Sequence, residues 1–224
     1  MLCQENFSSV PQDDKNLKVL VLLLAAIAVP AAGGEQPPKA NCPFDGFDPG
    51  SRLAEVTMPT TGYYGCGVSK NCLSTHLVPG DTVVVFRNES DWICGYFSSS
   101  NGSAPGWVIT KDTRLVDFDP NPPLEAWVGT WTQREDRIRI SLSTAQGKLA
   151  LAGNGVWHGI KDVQHTGEFA GEATPNGNRL HFVQGDGDSC TVDLGLSGNY
   201  LIANDNQRCG GMNVRFWGVW KRSK

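Results

Sequence analysis

Between Cys190 and Trp220 apolar residues fall at every second position, and that alternation restricts the region to strands with one buried face. Val192, Leu194 and Leu196 form one such series, and Val214 and Phe216 form another. Ser197-Gly198-Asn199 and Asn204-Asp205-Asn206 are residues that tolerate left-handed backbone angles, so hairpins are expected at both. The result is an antiparallel meander whose return brings Cys209 near Cys190, and these two cysteines are predicted to be bonded. Counting by twos along the last strand puts Val214, Phe216, Gly218 and Trp220 on one face and Arg215, Trp217 and Val219 on the other. With Phe216 inward, Trp217 stands outside. There it packs on the preceding domain, which a short proline-stiffened linker favours, or meets a partner.

The same reading extends upstream. Among 224 residues there are 26 glycines and 13 prolines and few helical periodicities, so the chain is expected to be all-β. Asp117 to Pro123 holds three prolines and no periodicity, which makes residues 117–123 a linker. Beyond it, residues 124–224 open on Trp127 to Trp131 and alternate through Ile138, Ile140 and Leu142. They turn at Gln146-Gly147 and continue through Leu149 and Leu151. Further strands are expected around Val156-Trp157, Thr166 to Glu172 and Leu180 to Val183. About eight short antiparallel strands close into a small barrel. Residues 41–116 form the first domain, with strands at Gly80 to Phe86, Trp92 to Phe97 and Gly106 to Ile109.

Lys15 and Lys18 precede an apolar run from Val19 to Ala28 and then small residues, the pattern of a secretory signal over residues 1–32, cleaved after Ala28, Ala31 or Ala32. The alternative is a retained membrane anchor, for which the apolar run is short. Residues 33–40 are a polar, Pro-containing linker. An exported chain, periplasmic or extracellular, then keeps Cys42, Cys66, Cys72, Cys94, Cys190 and Cys209, an even number that reads as disulfides. Cys66 is assigned to Cys72 and Cys42 to Cys94. Zinc is not expected, since no Cys-x-x-Cys knuckle is present.

A net charge of −4 and a pI near 5.5 argue against a nucleic-acid partner. His76, His158, His165 and His181 are scattered, no Gly-x-Ser-x-Gly occurs, and no catalytic constellation is read. Turn chemistry accounts for Glu135-Asp136 and for Asp186-Gly-Asp188, the latter lacking the rest of a calcium loop. Phosphate-loop patterns are missing too, so neither a cofactor nor a metal is expected. Asn88 and Asn101 begin Asn-x-Ser sequons, which mark exposed turns.

Gly80-Asp81 opening a valine-rich strand, Asp91-Trp92 after a turn, and Gly106-Trp107-Val108 resemble a bacterial SH3-like (SH3b) domain. Upstream of Pro79 the chain departs from that pattern, with Tyr63-Tyr64-Gly65-Cys66-Gly67 where the family has an Asn-Val-Arg strand. The resemblance implies an SH3-like barrel and an aromatic groove for peptidoglycan or peptides, whose candidates are Tyr63, Tyr64, Trp92 and Trp107, with Trp217 added from the second domain. The Gly129-x-Trp131 opening is similar to that of lipocalin and avidin-like barrels, where the Trp plugs one end. The second half also looks like uncharacterised secreted proteobacterial domains ending in the pattern seen from Cys209 to Phe216. Together these imply an exported, non-enzymatic binding protein of the cell envelope, free of the membrane after signal cleavage, whose partner is cell-wall glycan or peptide or an envelope protein. The alternatives are an inhibitor of a cell-wall hydrolase such as lysozyme, and a peptidoglycan-acting enzyme with an SH3b targeting module.

Overall fold

A computed structural model describes residues 37–38, 42, 46–65, 73–99, 102–186 and 189–223. The expected signal segment, the Cys66–Cys72 pair, Asn101 and Asp188 lie outside the described residues. The described strands are antiparallel and fall into two sheets, and among the described residues there is no α-helix.

The first sheet consists of β1 (Arg52–Val56), β2 (Thr61–Tyr64), β3 (Leu73–Leu77), β4 (Thr82–Glu89), β5 (Trp92–Ser99), β6 (Gly102–Ile109) and β7 (Thr113–Leu115). In the order β3-β2-β6-β5-β4-β1-β7 they curl into a half-barrel. Both faces of this sheet are covered, which is why β4 carries an unbroken valine run where a half-exposed strand would alternate. Val83 faces a core with Val56, Tyr63, Leu77, Ile93 and Val108. Its neighbour Val84 faces the other way, into a layer with Phe47, Leu53, Tyr96, Val116 and Ile202. Ile202 belongs to the second sheet, so this layer is shared.

The second sheet consists of β8 (Gly129–Gln133), β9 (Asp136–Leu142), β10 (Leu149–His158), β11 (Gln164–Ala173), β12 (Arg179–Val183), β13 (Thr191–Ser197), β14 (Tyr200–Asp205) and β15 (Gly218–Arg222). The expected eight-stranded barrel is nearly closed. β15 returns to β8 through Lys221 opposite Thr132 and Arg222 opposite Trp131. Among the described residues no ladder joins β11 to β12. Side chains bridge that seam, with the Phe169 and Phe182 rings 5.1 Å apart and the Gln184 Oε1 accepting the Ala170 amide at 3.1 Å.

Three local readings differ from the structure in ways that packing explains. Leu149-Leu151 and Val156-Trp157 are one strand, β10, running through Gly153-Asn154-Gly155. A Cβ on Gly153 would lie 2.1 Å from the Phe169 ring and one on Gly155 3.1 Å from Phe216, so these glycines make room for rings and do not break the strand. Asn204-Asp205-Asn206 is no hairpin: β14 ends at Asp205, and residues 206–217 cross an end of the barrel before β15 begins. Val214 and Phe216 alternate as expected but lie outside any ladder, inserted into the core from this crossing segment. It touches β11 at Gly210 opposite Gly167.

Cys190 bonds Cys209 and Cys42 bonds Cys94, as the sequence predicts. The first of these ties the base of the crossing segment to β13, and closing a loop of that length restricts the unfolded chain by about 3 kcal/mol.

The barrel interior is filled. Trp127, Trp131, Phe169, Phe182, Phe216 and Trp220 are all buried. Trp131 sits at the end where a short 3-10 helix, Leu124–Trp127, precedes β8, and its indole N–H donates to the Trp127 carbonyl at 3.1 Å. The Arg222 guanidinium lies 4.1 Å from the Trp131 ring and donates to the carbonyls of Val128 and Ala126. First strand, last strand and entry helix are thus joined through one indole. Trp131→Ala is expected to cost about 3 to 5 kcal/mol as a cavity-forming change. A urea midpoint equal to that of the parent protein would show that this ring does not carry the barrel end.

Candidate functional site

Tyr63, on β2, is buried, and its hydroxyl lies 2.8 Å from the carbonyls of Gly95 and Ala104 while accepting the Phe97 amide. Burial pushes its phenol pKa well above the ordinary range. Tyr64, Trp92 and Trp107 gather around the Cys42–Cys94 bond, with Tyr64 edge-on to Trp92 at 5.6 Å and the Arg87 guanidinium 5.2 Å from the Trp107 ring. Trp92 is 6% and Trp107 0% exposed, so in this conformation both rings are packing elements. Of the five aromatic residues singled out in the sequence, three are brought together, Tyr63 serves the sheet's own core, and Trp217 stands apart.

Trp217 lies where the two sheets meet. Its ring is edge-on to Phe47 at 5.4 Å and tilted to Tyr96 at 6.4 Å, so the contact with the first domain favoured above is present. Beside it opens a cleft of about 200 Å³. Phe47 of the segment before β1, Tyr96 of β5, Trp217 of the crossing segment and Trp157 of β10 supply its aromatic walls. None of the other three was singled out beforehand, because each belongs to a different element and only the fold assembles them.

The polar rim comes from Gln133, Arg134 and Asp136 at the β8–β9 turn and from Asn213 and Arg215 of the crossing segment. Arg134 and Asn213 have positive φ of 55° and 68°, the left-handed angles that turn both backbones sharply here. Arg215 lies over Trp217 at 4.6 Å and donates from Nε to Asp205 at 2.8 Å, which holds the guanidinium plane along the wall. The Asp136 Oδ1 accepts the Val156 amide at 2.8 Å and so staples β9 to β10. Beside it the His158 Nε2 and Glu135 Oε1 are 2.7 Å apart. Turn chemistry covers Arg134 and Glu135, whereas the Asp136 side chain reaches a third strand, a role that local sequence does not encode.

This arrangement can stack a ring and hydrogen-bond its substituents: aromatic faces meet the C–H surface of a polar ring, and amide, guanidinium and carboxylate groups meet its edge. The remaining histidines are dispersed, His165 with its Nδ1 2.6 Å from the Met212 carbonyl and His181 with its Nδ1 2.6 Å from Asp193. Among the described residues no cluster of His, Cys, Asp and Glu could hold a metal ion.

Burial raises the Asp136 pKa, against the pull of the Val156 amide. A carboxyl with a folded pKa above its unfolded one favours the fold most when protonated, and this contribution is lost as pH rises from the ordinary carboxylate value through the raised one. Asp136→Asn keeps the acceptor for Val156 and removes the charge. Its urea midpoint relative to the parent protein is expected to be higher at neutral than at acid pH. A difference independent of pH would show that the charge of Asp136 is not disfavoured in the fold.

No family model, curated protein or solved structure matches this chain.

Proposed function

We propose that this chain is an exported, non-enzymatic binding protein of the bacterial cell envelope, that its ligand is cell-wall glycan, and that the cleft between the two sheets receives a sugar ring of that ligand. The observation that carries the reading is the combination at the cleft: Phe47, Tyr96, Trp157 and Trp217 around a rim of Gln133, Arg134, Asp136, Asn213 and Arg215. Ring faces and planar hydrogen-bonding groups on rigid elements are what a neutral, hydroxyl-rich ring requires. Export is supported by two disulfides, which persist in oxidising compartments, and no helix among the described residues is long and apolar enough to cross a membrane.

The SH3-like assignment of the first unit draws support from the seven-stranded half-barrel, in which Trp92 opens β5 and Gly106-Trp107-Val108 lies in β6. The lipocalin- or avidin-like assignment of the second draws on the Gly129-x-Trp131 opening of an up-and-down barrel. In this reading the first unit contributes a cleft wall through Phe47 and Tyr96, and the groove of Tyr64, Trp92 and Trp107 is structural.

The hydrolase-inhibitor reading has one observation in its favour. The β10–β11 hairpin ends in a tip with Ile160 86% exposed between strands of ten residues, a shape able to enter a partner's groove.

Purified sacculi are expected to retain the full chain, and Trp157→Ala is expected to weaken retention about tenfold through loss of one stacking wall. Urea midpoints measured in parallel separate this from unfolding. Absence of retention, or equal retention of a folded Trp157→Ala variant, rejects the glycan cleft. Inhibition of lysozyme in a turbidity assay would move the assignment to the inhibitor reading, and clearing of a peptidoglycan zymogram would make the chain an enzyme.

A further inference from the structure

At about 200 Å³ the cleft between the sheets is smaller than the roughly 300 to 1,000 Å³ of ordinary ligand sites, so it holds part of a ligand. A second, open cleft of about 700 Å³ adjoins it, and Val156 lines both. The crossing segment separates the two: Arg208, Cys209 and Gly210 border the second cleft, and Asn213, Arg215 and Trp217 border the first. A ligand lying past Val156 would touch both.

The chemistry of the second cleft is different. Its side chains are Asn154, Thr166, Glu168, Gln184, Ser189 and Arg208, two amides, two hydroxyls and one charge of each sign, without an aromatic ring. The Gln184 Oε1 accepts the Ala170 amide, which leaves its amide hydrogens for a ligand. The Ser189 hydroxyl donates to the Asp186 carbonyl and keeps its acceptor capacity. Asn154 and Glu168 face each other across β10 and β11 on the outer surface of the barrel. The Cys190–Cys209 bond lies among the lining residues and holds the crossing segment against β13, so the cleft is bounded by constrained backbone.

A wall without rings is poorly suited to sugars. Glutamate and arginine set among amides and hydroxyls suit a peptide that carries ammonium and carboxylate groups. We infer that the second cleft binds a short charged peptide attached to the sugar held in the first, so that the chain recognises peptide-bearing glycan in preference to bare glycan. This inference rests on the glycan reading of the cleft between the sheets.

The test titrates the full chain, followed by tryptophan fluorescence, with three probes: a peptide-free oligomer of N-acetylglucosamine, a disaccharide–peptide fragment of peptidoglycan, and the same peptide alone. The disaccharide–peptide is expected to bind at least about tenfold more tightly than the peptide-free oligomer. The exposed, near-isosteric change Glu168→Gln, together with Asn154→Ala, is expected to remove that advantage and leave the affinity for the oligomer unchanged. Equal affinity for the two glycan probes, or equal weakening of both by the variant, overturns the peptide subsite and leaves the glycan cleft standing. Glu168-dependent binding of the peptide alone as tightly as the disaccharide–peptide, with the peptide-free oligomer unbound, overturns the glycan cleft and supports the peptide subsite. Absence of binding by all three probes overturns both.

Discussion

The carboxylate of Asp205 is the interaction on which the junction of this molecule depends. Its side chain is fully buried, receives the Arg215 Nε at 2.8 Å and accepts the Phe216 amide at 3.1 Å. A buried carboxylate is costly unless it is paired and hydrogen-bonded, so β14 ends in a group that demands a cation and a backbone donor. The crossing segment supplies both from adjacent residues, and this sets its direction. With the Phe216 amide bound at Asp205, the Phe216 ring enters the barrel core, 4.8 Å from Phe169, and Trp217 emerges on the outside against Phe47. One ion pair therefore determines which aromatic closes the barrel and which joins the barrel to the first sheet.

That joint is more than one contact. Tyr200 and Ile202 of β14 and Val219 of β15, together with Trp217 of the crossing segment, pack on Leu53, Val84, Tyr96 and Val116. Gly195 on β13 has no side chain at the point where the Pro49 carbonyl approaches, and a Cβ there would sit 1.7 Å from that oxygen. The Lys221 Nζ donates to the Gly80 carbonyl at 3.3 Å, and the Asn178 amide reaches the Pro120 carbonyl at 3.0 Å, so the Pro-rich segment is itself held on the barrel. A barrel strand normally gives its outer face to water. Here Tyr200, Ile202 and Val219 and the missing side chain of Gly195 turn part of the outer face of three strands toward the first sheet, and the described residues of the two sheets fall in one unit of contact. A cleft whose walls come from both sheets is then a fixed feature, which is the condition for binding without a large cost of ordering.

Much of this was legible as pattern. The alternation of Val192, Leu194 and Leu196, the turn at Gly198, the Cys190–Cys209 bond and the opposed faces of Phe216 and Trp217 follow from a period of two and from chain return, both local properties. The aromatic groove proposed for the first unit was not legible in the same way. In a sheet covered on both faces parity cannot distinguish an inner from an outer ring, and Tyr63, Trp92 and Trp107 are packing elements for that reason. Leu149-Leu151 and Val156-Trp157 read as separate strands because the role of Gly153 and Gly155 as space for distant rings cannot be read from their neighbours. The crossing segment looked like a hairpin followed by a strand for a similar reason: Asn204-Asp205-Asn206 has turn composition, but Asp205 is committed to residues ten and eleven positions further on. The junction cleft draws its aromatic walls from four elements, so no window of sequence contains it.

The filled interior bears on what kind of barrel this is. A Trp at the first strand is compatible with either a cup for a small molecule or a solid core, and the choice depends on what fills the other end. Phe169, Phe182, Phe216 and Trp220 occupy the space above Trp131, with Phe216 and Trp220 stacked at 6.3 Å. Phe216 arrives from outside the ladder, on the segment that Asp205 directs inward. Inserting a ring from a crossing loop removes the cup and, by the alternation of side chains, places the next residue on the surface. The same step that makes the barrel solid therefore displaces its recognition chemistry to the exterior, beside the crossing segment, where both clefts lie.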